Sequence, residues 1–415
     1  MAAVEDLGSQ EHYHWMQTSK AYNSDPFVYH VNRWTNWYNN SHQIVLHQSR
    51  SMIKPQPHII VNQAYGNLMA PKIVRCLGDP NLIVRQKTMT WAVEYLRIAD
   101  NRARCFQAGL LKVLMKLFSE TDSYMLQQLA LAFKYAAETE IGGRHMSYLG
   151  AIQGLLKMLE SDDRILRGNA LQALNNASSS RLAREEIVYG DKTLKFILNI
   201  INLEYDNRCL TAGLKLLTKC VRGGLDHKAT NQLLEADAVI TCIQLTAFSD
   251  IEVKELAARL LCLLALSKDV RKVSVERKAV AKLLELLNDN EPSIVQAAAA
   301  AALMRFAVIQ EKYFPDASTC SLTINVDAKK QLIDHQGTLQ IPPLIIPQDE
   351  VLCLNILQLL INVAENPHSR KELQETIPDL REIIEKSPSA VLKNWARYGI
   401  QHLLFKHRPF TWAGV

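Results

Sequence analysis

Leu166-Arg167-Gly168-Asn169-Ala170-Leu171-Gln172-Ala173-Leu174-Asn175-Asn176-Ala177 reads as a helix whose inner face carries the apolar pair Ala173-Leu174. The pair recurs at nearly fixed phase as Ala92-Val93, Ala132-Phe133, Lys215-Leu216, Leu260-Leu261, Ala302-Leu303, Leu359-Leu360 and Gly399-Ile400. Two residues beyond each second member stand Tyr95, Tyr135, Asn176, Thr218, Leu263, Arg305, Asn362 and His402, at steps of about 40 to 45 residues with one of about 57. A helical period of roughly 40 to 47 residues marks armadillo and HEAT arrays. The expected fold is therefore all-α, an armadillo/HEAT-like right-handed superhelical solenoid of about eight helical repeats. Stacked repeats contact only their neighbours and build one long face, which suits binding rather than catalysis.

The second and third repeats show the internal pattern. Gly109-Leu110-Leu111 with Leu114 and Leu117 aligns with Gly150-Ala151-Ile152 with Leu155 and Met158, an apolar ladder that opens just after a chain-turning glycine. A polar break follows, Ser119-Glu120-Thr121-Asp122 or Ser161-Asp162-Asp163, made of helix-capping residue types. The long helix with the recurrent column comes next, over 126–137 and 166–177. Later copies fall at 239–248 with 253–266 and at 280–287 with 294–308, where Pro292 suits an early helix position. Each unit reads as one shorter and one longer helix, with a further short helix in several copies.

Of the 415 residues, 48% are hydrophobic and 21% charged, enough for a continuous core beneath a polar surface. The net charge of +5 results from 47 basic and 42 acidic side chains interspersed along the chain, which argues against nucleic acid as partner. The eight cysteines lie mostly in apolar helical patterns with no CxxC, so they read as buried reduced thiols of an intracellular protein, with neither disulfide framework nor metal site. No secretory signal and no apolar run of the ~18 residues needed for a membrane span is present.

Residues 1–58 differ from the rest. They are polar and histidine-rich, a composition expected of a partly disordered tail, yet include Trp34 and Trp37 in an aromatic stretch that would instead suit docking on the array or a partner. Residues 59–405 form the solenoid. The long step places an irregular insertion at 314–347, where Pro315, Pro342, Pro343 and Pro347 and the β-branched run Leu322-Thr323-Ile324-Asn325-Val326 exclude a continuous helix. Residues 406–415 make a basic, aromatic tail.

Catalytic motifs are missing. Gly142-Gly143-Arg144 lacks the ending of a phosphate loop, and no nucleophile elbow, HExxH helix or kinase signature occurs. The expectation is a non-enzyme without cofactor, metal or small-molecule substrate, whose partners are proteins.

The long helices resemble the third helices of armadillo repeats, whose Trp-Ala-Leu-Ser-Asn-like stretch presents its first and fifth residues to a ligand. By that resemblance the partner-binding groove includes Trp91, Tyr95, Tyr135, Gln172, Asn176, Arg259, Arg305, Gln358, Asn362 and His402, with a place in the core as the alternative for the rings of Trp91, Tyr95 and Tyr135. Only Gln172/Asn176 and Gln358/Asn362 keep an amide at the fifth place. A run of amides clamps an extended backbone in the importin-α class, and this chain has no such run.

Three stretches carry a more particular resemblance: 82–88, Leu-Ile-Val-Arg-Gln-Lys-Thr; 297–313, an Ala-rich helix followed by Val-Ile-Gln-Glu-Lys-Tyr; and 362–374, with its pattern Ala-Glu-x-Pro-x-x-Arg-Lys-x-Leu-Gln. They resemble the radial spoke head protein fourteen family, also called the rhabdoid tumour deletion region protein. The resemblance implies a structural subunit of the radial spoke in the ciliary or flagellar axoneme, in the cytoplasmic cytoskeleton, with other spoke subunits as partners.

Overall fold

The computed structural model describes residue 64 and residues 66–190, 192–223, 228–288, 290–307 and 326–405. The tail expected at 1–58, with Trp34 and Trp37, and the tail at 406–415 lie outside the described residues. The chain divides into two units, one ending at Ser180 and the other beginning at Arg181. Among the described residues every regular element is helical.

The first unit opens with α1 (Met69–Leu77) and α2 (Leu82–Arg97). Two triplets follow: α3 (Ala99–Gln107), α4 (Leu110–Lys116) and α5 (Ser123–Ala136), then α6 (Glu140–Tyr148), α7 (Ala151–Met158) and α8 (Arg164–Ala177). The long helices α2, α5 and α8 pack side by side in that order. Ala92, Ala132 and Ala173 are fully buried, and so are Phe133 and Leu174, so the recurrent pair is the seam where one long helix meets the next.

The second unit continues with α9 (Arg181–Tyr189), α10 (Thr193–Leu203) and α11 (Asn207–Arg222), then α12 (Lys228–Glu235), α13 (Ala238–Leu245) and α14 (Ile251–Leu264). Next come α15 (Lys268–Glu276), α16 (Ala279–Glu285) and α17 (Ser293–Ala307), then α18 (Val326–Asp334), α19 (Gly337–Gln340) and α20 (Glu350–Val363). The last triplet is α21 (Pro367–Glu372), α22 (Ile377–Lys386) and α23 (Ala390–Leu403). Here α11, α14, α17, α20 and α23 stack in succession. Three helices per repeat is therefore the rule, where the sequence indicated two with a third in several copies.

The expected irregular insertion at 314–347 is corrected over its second half. α18 and α19 occupy the first- and second-helix places of the seventh repeat, and a 3-10 turn at Pro342–Leu344 leads toward α20. None of the four prolines falls inside those helices: Pro315 precedes α18 in sequence, and Pro342, Pro343 and Pro347 follow α19. The surplus residues precede Val326.

Three local devices recur. A left-handed residue joins the first helix of a repeat to the second: Gly109 (φ 81°), Gly150 (75°), Lys192 (54°), Asp237 (59°), Lys278 (59°) and Gln336 (56°). An acidic or amide side chain caps the third helix at its N-terminus. Asn81, Asp122, Asp163, Asp250 and Asp349 each accept a backbone N–H from the first turn of the helix that follows. The third device is a buried arginine that closes a third helix at its other end. Arg102 Nε donates to the Leu96 carbonyl at 2.9 Å, Arg271 Nη1 to Ala265 at 2.9 Å and Arg370 Nε to Ala364 at 2.8 Å. Each guanidinium reaches back six residues to carbonyls that no helical N–H can satisfy, at the negative end of the helix dipole.

Arg370 stands in the 362–374 stretch, and Gln374 of the same stretch donates to the Leu403 carbonyl at 3.1 Å. The most specific piece of the family-like pattern is thus a helix-closing and repeat-joining element. The Gly142-Gly143 pair also has a packing reason: a Cβ on Gly142 would stand 1.8 Å from the Ala136 carbonyl oxygen.

Candidate functional site

The positions expected to face a partner project from the third helices. In the first unit Trp91 and Tyr95 are only 7% and 8% exposed, so they belong to the core and are withdrawn from the partner-binding set. Their ladder positions face the packed side because a large ring buries its body whenever neighbouring helices leave room. Tyr135, Gln172 and Asn176 are half-buried. Asn176 uses its amide within the array, since Nδ2 donates to the Lys134 carbonyl on α5 at 3.1 Å. Asn169 does the same about two helical turns earlier, to the Gln127 carbonyl at 3.2 Å. In the second unit Asn355 Nδ2 repeats the contact on the Ala297 carbonyl at 2.9 Å.

Cross-repeat polar contacts also gather at the capped rim. Gln127 and Ser123 donate to Asp163 at 2.6 and 2.8 Å, Gln86 donates to Asp122 at 3.0 Å, and Asn207 to Asp250 at 2.7 Å. Burial pushes the Asp163 carboxyl up, but hydrogen bonds from Gln127, Ser123 and the N–H groups of Leu166 and Ile165 outweigh it and hold its pKa below the ordinary carboxylate value.

The remaining groove positions lie in the second unit. Gln358 and Asn362 on α20 are half-buried, and His402 on α23 is exposed. Arg259 on α14 is exposed and pairs with Glu255 at 2.8 Å. Arg305 on α17 is half-buried and hydrogen-bonds the thiol of Cys262. Arg259 and Arg222, at the end of α11, line a pocket of about 420 Å³, and Arg305 abuts it through the lining residue Cys262. Its floor is Ala297, Ala298 and Ala301, and Asp349 and Asn355 stand at its far edge. Burial raises the pKa of the Cys262 thiol, while Arg305, Arg222 and Arg259 pull it down without overcoming burial.

Arg222, Ala297 and Ala298 were not among the groove positions expected from the sequence. Arg222 is one helical turn beyond Thr218 on the same face, so extending the ladder by four residues finds it. The other cysteines play no part here: burial pushes the Cys105, Cys220 and Cys242 thiols up to about 12. Among the described residues no group of three or more His, Cys, Asp or Glu side chains is placed to hold a metal ion, and no helix is long and apolar enough to cross a membrane.

No family model matches the chain. Radial spoke protein 14 of Chlamydomonas reinhardtii is 27% identical over 382 residues, spanning 89% of this chain and 95% of that protein. Among solved structures, an engineered protein superimposes with a TM-score of 0.58 at 17% identity, over 97% of this chain and 99% of its own. A designed armadillo repeat protein in complex with the peptide (KR)4 gives a TM-score of 0.53 at 18% identity, over 57% of this chain and 99% of its own. The fold and the resemblance expected from the sequence both hold: the chain has an armadillo-repeat fold and is similar along 89% of its length to radial spoke protein 14.

Proposed function

We propose that this protein is a non-enzymatic scaffold of the radial spoke in the ciliary or flagellar axoneme, where it holds other spoke subunits through the faces of its third helices. The observation that carries the reading is the similarity to radial spoke protein 14 across 89% of this chain and 95% of the relative. A match of that extent takes in most of the repeat array rather than one generic helix pair. The physical character of the molecule supports it. A repeat array has an extended surface with a built order of side chains and no enclosed catalytic constellation.

The neighbour solved with (KR)4 uses the same fold to bind a peptide, which supports a peptide-binding role for the third-helix face here. The pocket charge of this chain has the opposite sense to one made for a basic peptide. Tyr135, Gln172, Arg259, Arg305, Gln358, Asn362 and His402 remain the contact candidates, and Asn176 contributes only what its bond to Lys134 leaves over.

The test is to tag the protein in ciliated cells and fractionate axonemes. The expected outcome is a salt-resistant axonemal pool that co-purifies with spoke subunits. A diffuse cytosolic or nuclear signal with an empty axoneme, together with capture of an enzyme or trafficking complex, would replace the spoke reading by a soluble adaptor.

A further inference from the structure

We infer that the pocket between α11, α14, α17 and α20 is an acidic-peptide site: an extended segment of a partner protein, with carboxylates about three residues apart, lies across Arg222, Arg259 and Arg305. The inference rests on the reading that the third-helix face binds proteins, and it supplies the chemistry of the occupant.

Three observations carry it. First, the arginines come from three successive third helices and line one open pocket, or abut it in the case of Arg305, which bonds to the lining residue Cys262. Neighbouring packed helices stand about 8–10 Å apart. An extended chain advances about 3.3 Å per residue, so carboxylates at every third residue match that step.

Second, the charge inside the pocket is unbalanced. Glu255 is engaged by Arg259 at 2.8 Å. Asp349 lines the pocket, but its carboxylate is already engaged, accepting the Leu352 N–H at 3.0 Å and the Ser293 hydroxyl. Among the described residues no carboxylate pairs with Arg222 or Arg305. A guanidinium prefers a planar two-oxygen partner, which an Asp or Glu side chain supplies.

Third, the small side chains of Ala297, Ala298 and Ala301 leave room for a main chain to approach, while Asn355 at the edge spends an N–H on the Ala297 carbonyl at 2.9 Å. No aromatic side chain lines the pocket, so the stacking platform that single-stranded nucleic acid requires is missing there.

Fluorescence anisotropy of the full chain tests the site with three probes: a labelled peptide of about a dozen residues with Glu at every third position, the same peptide with Gln, and an oligothymidylate of similar length. The chains compared are wild type, the double variant Arg222→Gln/Arg305→Gln, and Ala301→Trp, which fills the floor. Circular dichroism and thermal melts verify that each is folded. The expected result is saturable binding of the Glu peptide to wild type, weakened about tenfold or more in both variants and by added salt, with little binding of the Gln peptide. Equal binding of the Glu peptide to the arginine variant overturns the proposal, as does no binding to wild type or tighter binding of the oligonucleotide. Equal binding of the Glu and Gln peptides, lost in Ala301→Trp, also overturns it but leaves the groove reading standing. Axonemal fractionation judges the spoke reading separately.

Discussion

The amide Nδ2 of Asn176 on α8 donates to the carbonyl oxygen of Lys134 on α5, 3.1 Å away across the seam between two repeats. This bond reassigns a side chain that resemblance alone places in a ligand groove. Asn176→Leu removes a donor and buries an apolar group beside a carbonyl that loses its extra partner. Its urea midpoint should correspond to a stability loss of about 1–2 kcal/mol. If Asn176 instead serves mainly as a ligand contact, stability will hold and partner capture alone will fall.

Arg370 is 9% exposed and donates to the carbonyls of Ala364 and Glu365, and to that of Phe405 at 2.9 Å. Arg370→Met keeps most of the stem and strips the fork from three carbonyls. Denaturation should show a loss of about 2–3 kcal/mol. Arg370→Lys should recover little, since an ammonium cannot span Nε and Nη partners together. Full recovery by lysine would mean that charge near the helix end, rather than directed bonding, is what matters.

The left-handed residue between first and second helices offers a prediction with the opposite sign. Lys278 holds φ 59° with its side chain exposed, where an L-residue is strained by roughly 1 kcal/mol. Lys278→Gly should therefore raise the thermal midpoint, with a gain of about 0.5–1 kcal/mol. Gly150→Val, at φ 75°, should lower it by at least as much. An unchanged midpoint in both would show that neighbouring helices relax around this residue.

Asp163 links pH to stability. Its folded pKa lies below the ordinary value, so the carboxylate stabilises the fold above an unfolded pKa of about 3.9 and loses that contribution as pH falls through the lower folded value. Asp163→Ala should cost about 1 kcal/mol at neutral pH. The difference between it and wild type should narrow as pH falls below the unfolded value of about 3.9 and through the lower folded one. A difference independent of pH would assign the effect to packing rather than to the charge.

Most of the architecture is legible in the chain because its signals are periodic. The apolar pair sets the long helices to within a few residues, and Asp122, Asp163 and Asp250 mark where they start. The left-handed turn is visible at Gly109 and Gly150 but hidden at Lys192, Asp237, Lys278 and Gln336, where tertiary packing imposes a conformation those residues do not advertise. α18 was masked by the adjacent run Leu322–Val326, since β-branched residues also sit at helix starts. Burial of Trp91 and Tyr95 was not legible, because ladder position fixes a direction around the helix and says nothing of what stands opposite. The pocket at Arg222, Arg259 and Arg305 was half legible. Its members occupy different turns of their helices, and only packing brings them level.

The closing arginines also shift where one building block ends and the next begins. Arg271 lies on α15, yet the helix it finishes is α14; Arg102 and Arg370 stand in the same relation to α2 and α20. A self-sufficient module therefore runs from the second helix of one repeat through the first helix of the next, out of phase with the three-helix repeat by a single helix. Cutting or grafting this protein at the natural-looking break after Leu266 would leave bare carbonyls, whereas a cut after Glu276 would carry the finishing residue along.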